Sequence, residues 1–398
     1  MSTAITHLKN KKMIAPKLRF KGFDDSWEKK TLFDISENLA YGMNAAATDF
    51  DGKHKYIRIT DIDVVTGEFK PDPLTSPLGD IDEKFRLKVG DIVFARTGAS
   101  VGKSYLYNPK DGELYYAGFL IKFSITKANP YFLYTLTLKE AYNKWVHIYS
   151  MRSGQPGLNA EEYKALKLNI PSLPEQQKIA GFLSAVDEKI QLLNRKKQLL
   201  EQYKKGVMQQ LFSGELRFKD STGKAFPKWE EKKLGEIGKL YAGGDLDKLD
   251  YRKEKEGDYK YPIYANGAGE GLYGYASTFQ YKANCVTVSG RGNLGYANMR
   301  SESFNAIVRL IVIEPKEYIS TKFLEEIINN INFVVESTGV PQLTVPQISS
   351  YKIIVPSLEE QKKIADFLSA IDVKIEKVAE ALEATAKFKK GLLQQMFV

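Results

Sequence analysis

The chain has 398 residues, 43% hydrophobic and 12% aromatic, which fits two or three folded domains with their own cores and excludes a disordered or fibrous chain. Its formal charge of +9 points to a polyanionic partner, and its one cysteine, Cys285, excludes an intrachain disulfide and a cysteine-based zinc site. No run approaches the about 18 apolar residues that span a bilayer, and the first 13 residues are polar and lysine-rich without the apolar core of a secretory signal, so a cytoplasmic protein with no membrane partner is expected.

In chain order, Leu18-Arg19-Phe20-Lys21 precedes Trp27-Glu28-Lys29-Lys30. Residues 55–60 and 91–95 read as strands, the second running into "RTGASVGKS" at 96–104. That loop ends like a phosphate-binding loop. Yet three residues separate Gly98 from Gly102 where such a loop needs four, and no helix follows. A tight turn between strands is the plainer reading. Residues 105–116, broken by Asn108-Pro109 and Asp111-Gly112, read as a hairpin. A helix is expected over 130–146, then a glycine-rich loop, "MRSGQPGLN", at 151–159.

From Pro174 to Phe212 there is no internal proline, and Ile179, Val186, Leu193, Leu200 and Val207 recur every seven residues. Such a stripe wants a partner helix, and about 38 residues at 1.5 Å each give a rod of roughly 57 Å. Past it, Leu216-Arg217-Phe218-Lys219 precedes Trp229, as Leu18-Arg19-Phe20-Lys21 precedes Trp27. Strands are expected at 285–288 and 306–313 and a helix at 321–335. "SGRGNLGY" (289–296) matches 96–103, and 337–344 matches 151–159. A second rod keeps the step of seven through Ile364, Ile371, Val378 and Leu392, with Thr385 its polar break.

The two rods begin alike. "PSLPEQQKIAGFLSAVDEKI" (171–190) and "PSLEEQKKIADFLSAIDVKI" (356–375) lie 185 residues apart and agree at fifteen of twenty positions. The stretches between the repeated segments align poorly. The chain is therefore a duplication with a kept frame and a varied interior. Near-identical helices imply near-identical environments, so the rods are expected to pair with each other, antiparallel, about an internal pseudo-two-fold; packing on the neighbouring globular unit is the alternative.

Catalytic chemistry is not legible. His7, His54 and His147 lack a second ligand at metal spacing, no triad or methyl-donor loop is found, and Asp61 and Asp63 lack a lysine at nuclease spacing. A nucleotide hydrolase or nuclease is thus disfavoured. A stand-alone coiled-coil adaptor with protein-binding domains remains as the alternative.

Two variable units, two near-identical rods and the phrases "PSLPEQQKIA" and "PSLEEQKKIA" together resemble the specificity subunit of type I restriction–modification systems. "YIRITDID" (56–63), "GDIVFARTGASVGK" and "SGQPGLN" look like recurring phrases of that family; the second unit departs from them. The resemblance implies an α+β chain: two target-recognition domains of mixed α/β type separated by two long antiparallel helices in an intramolecular coiled coil. Domain limits are expected at 1–172, 173–213, 214–357 and 358–398. It further implies a non-catalytic DNA-binding subunit for host defence, each domain reading one half of a bipartite, asymmetric double-stranded DNA target. The helices would set the spacer and dock two modification (adenine methyltransferase) subunits, joined by restriction (translocase and endonuclease) subunits. S-adenosylmethionine, ATP and Mg would serve those partners, with no cofactor or metal on this chain. Arginine pairs best with guanine, and asparagine or glutamine with adenine. The expected DNA contacts are Arg96, Thr97, Ser100, Lys103, Arg152 and Gln155 in the first unit. In the second they are Asn266, Arg291, Asn293 and Gln342. A turn-stabilising role is the alternative for each.

Overall fold

The computed structural model describes residues 13–64, 66–266, 269–334 and 341–398. The chain divides into two compact units, one formed by residues up to Asn194 with Ala381–Val398, the other by Arg195–Glu380. His7, Val335 and residues 337–340 of the second expected loop lie outside the described residues.

The first unit is built on a four-stranded antiparallel sheet in the order Ser36–Tyr41, Leu120–Ile125, Asp91–Ala95, Ser104–Leu106. Asp91–Ala95 is buried along its whole length, and its alternate side chains serve two cores. Ile92 and Phe94 face a core closed by Phe132, Leu133 and Leu136 of the helix Pro130–Thr137. Val93 and Ala95 face a smaller one, where Lys55–Ile57 runs parallel to Leu114–Tyr116. The second unit repeats this plan. Its sheet runs Gly238–Ala242, Ile311–Pro315, Cys285–Val288, Ala297–Arg300, and the helix Thr321–Asn329 covers it with Phe323, Leu324, Ile327 and Ile328. Cys285 is a buried strand residue whose thiol burial pushes up to about 11.

The long helices are Leu173–Phe212 and Leu358–Gln395. They run antiparallel in each unit. In the first, Asp187 meets Lys389 at 2.6 Å; in the second, Lys204 meets Asp372 at 2.8 Å. The repeat offset carries Asp187 onto Asp372 and Lys204 onto Lys389, so the two ion pairs are one contact made twice. Ile179, Val186 and Leu392 are buried in the first unit's main core, and Val207, Ile364 and Ile371 in the second's. Val378 is buried; Leu193 and Leu200, in mid-helix, are half-buried. At the helix ends the seam thus merges with the globular cores, and the two expected environments coexist.

The repeated phrases have a structural cause. Glu175, 1% exposed, accepts hydrogen bonds from Arg19 Nε (2.7 Å) and Nη2 (2.8 Å) and from Trp27 Nε1 (3.3 Å). Gln176 donates to the Pro171 carbonyl and accepts the Asn129 amide, fixing the residue that caps the covering helix. In the second unit Glu360 takes Arg217 and Trp229, while Gln361 takes the Pro356 carbonyl and the Ser320 amide. "LRF…W" and "PSLxEQ" are two sides of one clamp that joins each long helix to its own unit.

Several expected elements differ. The helix at 130–146 is two, Pro130–Thr137 and Glu140–Ser150, because Lys139 adopts an extended conformation between them. The strand at 55–60 stops at Ile57, where Asp61 folds back to accept the Arg58 amide and bind its guanidinium. The hairpin at 105–116 does not form. Ser104–Leu106 pairs with Asp91–Ala95, whereas Leu114–Tyr116 joins another sheet, with Tyr105 Oη bonded to Asp111 in the loop between. The strand at 306–313 is two pieces, Asn305–Ala306 and Ile311–Pro315, parted by Val308 and Arg309 at φ 55° and 59°. The helix at 321–335 ends at Asn329.

Candidate nucleic-acid interface

At one end of each main sheet, three loops meet in the same arrangement. In the first unit the Gly42 amide donates to the Leu120 carbonyl (3.0 Å), the Met43 amide to Tyr116 (2.8 Å) and the Leu120 amide to Ala117 (2.8 Å). In the second, Gly243 donates to Leu310 (2.8 Å), Gly244 to Ala306 (3.1 Å) and Leu310 to Ile307 (3.1 Å). The turn 117–120 therefore corresponds to 307–310. The glycines permit this approach: a Cβ on Gly42 would lie 2.1 Å from the Ala117 oxygen, and one on Gly243 2.7 Å from that of Ala306.

The glycine-rich loops lie against these turns. In the first unit the Leu158 amide donates to the Arg96 carbonyl and the Gly98 amide to Pro156, so "RTG" and "QPGL" are zipped together. In the second, the Leu343 amide donates to the Gly290 carbonyl. Ala95 brackets its loop through Lys103 and Gly102, and Ser289 does the same through Tyr296 and Gly295. Arg96 thus corresponds to Gly290, not Ser289, and the second loop is one residue shorter than its sister. The equal spacing expected from the sequence fails at this end because a deletion inside a glycine-rich loop leaves both flanking strands intact.

Arg96 is the best-organised candidate. Its Nε donates to the Gly118 carbonyl (3.1 Å), and its guanidinium lies 5.2 Å from the Tyr41 ring and 5.7 Å from Phe119. These residues line a cleft of about 650 Å³ together with Asn44 and Arg58. Tyr41 and Phe119 are 43% and 55% exposed, large for aromatic rings with no apolar cover. A fixed guanidinium whose Nη groups have no hydrogen-bond partner among the described residues, beside exposed rings, suits recognition of a base edge or phosphate. Thr97 bridges to Gly157 at the same junction, and the Gln155 amide lies over Gly98. Ser100 sits on the one-turn helix Gly98–Ser100, and Lys103 Nζ donates to the Ile62 carbonyl (3.2 Å). Arg152 is placed apart, paired with Glu162. In the second unit Asn266, Arg291 and Gln342 come together. Arg291 donates to Gln342 Oε1 (2.8 Å); Asn266 accepts the Gly290 amide (2.7 Å) and donates to the Val308 carbonyl (2.5 Å). Asn266 here holds the loop to the turn. Asn293 is exposed on the same loop. Sequence reasoning missed Tyr41, Arg58 and Phe119; the signal for Arg58 was its place in "YIRITDID".

The Gly-Lys-Ser sequence holds no phosphate cradle. Gly98–Ser100 is a single 3-10 turn, Ser104 opens a strand, and its hydroxyl bonds that of Thr137. Among the described residues no group of three or more His, Cys, Asp or Glu could hold a metal ion, and no helix is long and apolar enough to cross a membrane.

A mixed α/β unit with a loop-built end, made twice and tied to paired long helices, defines a duplicated two-domain protein. Residues 24–202 and 227–384 match the type I restriction modification DNA specificity domain, and the chain belongs to that family. A Mycoplasma pneumoniae protein named as a type I specificity subunit is 30% identical over 290 residues, 71% of this chain and 75% of that one. A Methanocaldococcus jannaschii protein named as the type I restriction enzyme MjaX specificity subunit is 29% identical over 400 residues, 93% of this chain and 92% of its own. In fold, the chain is similar to the S subunit of a type I restriction–modification system from M. genitalium. The TM-score is 0.64 at 18% identity, with 97% of this chain and 99% of that chain covered. The chain is a type I specificity subunit with two target-recognition domains, and the stand-alone adaptor is not favoured.

Proposed function

We propose that each target-recognition domain reads one half of a split, asymmetric DNA sequence, and that the antiparallel helices fix the unread gap and dock two modification subunits. The observation that supports this is the loop-and-turn junction built twice on three matching backbone hydrogen bonds, with different side chains on it. One frame presenting two sets of side chains is what two different half-sites require. On this reading residues 1–172 and 214–357 are the reading domains, 173–213 and 358–398 the spacer. The ten residues from Arg96 to Gln342 named above are candidate contacts, and the chain acts on DNA in the cytoplasm without chemistry of its own. Adenine methylation from S-adenosylmethionine, and ATP- and Mg-dependent translocation and cleavage, belong to the partners. Two readers on a stiff spacer gain affinity through effective concentration only at the right separation, and the +9 charge supplies salt-sensitive phosphate contacts.

The test is a map of methylated adenine in cells with and without this chain, its modification partner present. A split motif with a fixed gap that vanishes with the chain is expected. A partner that methylates the same motif without the chain would sink the reading.

A further inference from the structure

Resting on that reading, we infer that Arg309, on the strained turn 307–310, is a base-reading residue of the second domain and takes the part that Arg96 has in the first. The two junctions share the three backbone hydrogen bonds that anchor the ends of the turn but exchange their arginine. The first carries Arg96 on the glycine-rich loop, facing Phe119 on the turn. The second carries Gly290 at the loop position, where no side chain can reach out. Its turn holds Arg309 at the place of Phe119. The arginine of the second junction thus arises from the turn and not from the glycine-rich loop.

Three further observations bear on it. The first is strain. Val308 and Arg309 both lie in the left-handed region, at φ 55° and 59°, a rare conformation for a non-glycine residue and an outlier for a β-branched one. The corresponding residues of the first unit, Gly118 and Phe119, do not lie in that region, so the strain belongs to the second unit's turn. Strain of this kind persists only where the surroundings over-determine it, and it collects at functional sites.

The second is that the surroundings do over-determine it. The Val308 amide donates to Gly244 (2.8 Å), the Arg309 amide to Gly243 (3.0 Å), and the Val308 carbonyl accepts Asn266 Nδ2 (2.5 Å). Asn266 also receives the Gly290 amide. A turn bonded through both of its central amides and one carbonyl holds the base of the Arg309 side chain still, as a reader requires.

The third is elimination among the arginines of this unit. Arg217 is held by Glu360, Arg252 lies on the Tyr259 ring, and Arg291 is bonded to Gln342. Arg300 is 6% exposed, stacked 3.5 Å from Tyr264. Arg195 lies on a long helix. Arg309 is exposed, and its guanidinium has no hydrogen-bond or ion-pair partner among the described residues. It is the one globular arginine of the second unit left with its bidentate fork available, the group that best recognises the O6 and N7 edge of guanine.

The experiment selects binding sites for the full chain from a library of randomised DNA duplexes. It compares the parent with Arg309→Ala, Arg309→Lys and, as reference, Arg96→Ala. The parent should select a split motif. Arg309→Ala should lose discrimination by about 5- to 150-fold at one base pair in one half, leaving the other half unchanged. Arg309→Lys should lose the same preference while keeping the salt dependence, because it retains the charge and not the fork. Arg96→Ala should relax the opposite half. If Arg309→Ala selects the parental motif while Arg96→Ala does not, the inference is overturned and the two-reader function stands. Evenly weaker binding with an unchanged motif makes Arg309 a phosphate contact and overturns it too. A parent that selects no sequence removes both the inference and the function beneath it.

Discussion

Glu175 and Glu360 are carboxylates 1% and 0% exposed, each tied to an arginine and a tryptophan from the start of its own unit. Removing a buried anion is costlier than its net contribution suggests, because a partly buried guanidinium loses its closest counter-charge and the tryptophan Nε1 its acceptor. Glu175→Ala and Glu360→Ala should each destabilise the chain by about 3–5 kcal/mol. Glu→Gln should cost less, since it keeps an acceptor for the tryptophan Nε1. Denaturant unfolding measures this, and a loss below about 1 kcal/mol for the alanine variants would mean the clamp does not join helix to unit. Both sides of the clamp were visible in the sequence as repeated phrases. Their partnership was not, because Arg19 and Glu175 stand 156 residues apart and spacing carries no information at that range. The same limit hid Phe119, which is singled out only by lying beside Arg96.

At the scale of elements, periodicity was legible and backbone reversals were not. The long helices followed from an apolar step of seven, and the strands Asp91–Ala95 and Cys285–Val288 from short apolar runs. What failed were breaks set by single residues: Lys139 in extended conformation, Asp61 turning back on Arg58, Val308 and Arg309 in the left-handed region. The Asp61 reversal is held by a side chain three residues from its partner, and the Val308–Arg309 turn by tertiary bonds to Gly243, Gly244 and Asn266 that outweigh local propensity. The antiparallel register of the helices is itself testable, since Asp187 and Lys389 meet only in that register. A double-mutant cycle of Asp187→Asn and Lys389→Met, read by thermal or denaturant unfolding, should give a coupling of about 0.5–3 kcal/mol. Additivity would mean that the two side chains do not meet. Tyr131 Oη also donates to Asp187. Asp187→Asn should therefore cost more than Lys389→Met.

For the whole molecule the proposed ruler makes a demand on both helices together. The first long helix pairs its early half within one unit and its late half within the other, and the second does the reverse. Seven residues inserted after Asn194 alone would leave the Asp187–Lys389 and Lys204–Asp372 contacts impossible to keep together in straight helices. The same insertion after Asn194 and after Glu380 keeps both contacts and the apolar seam. It adds about 10 Å of helix, the length of roughly three base pairs. Length is opposed by twist. Three base pairs turn the duplex by roughly 100°, whereas seven residues miss two full helical turns by only about 20°. The double insertion should therefore lengthen the unread gap by about one to three base pairs, at lower affinity and with both half-motifs unchanged. The single insertion should lose stability without a new defined gap. Methylated-adenine mapping reads the gap in each variant. An unchanged gap in the double insertion would separate the helices from the spacing, and altered half-motifs would mean that the reading loops depend on the helix length as well.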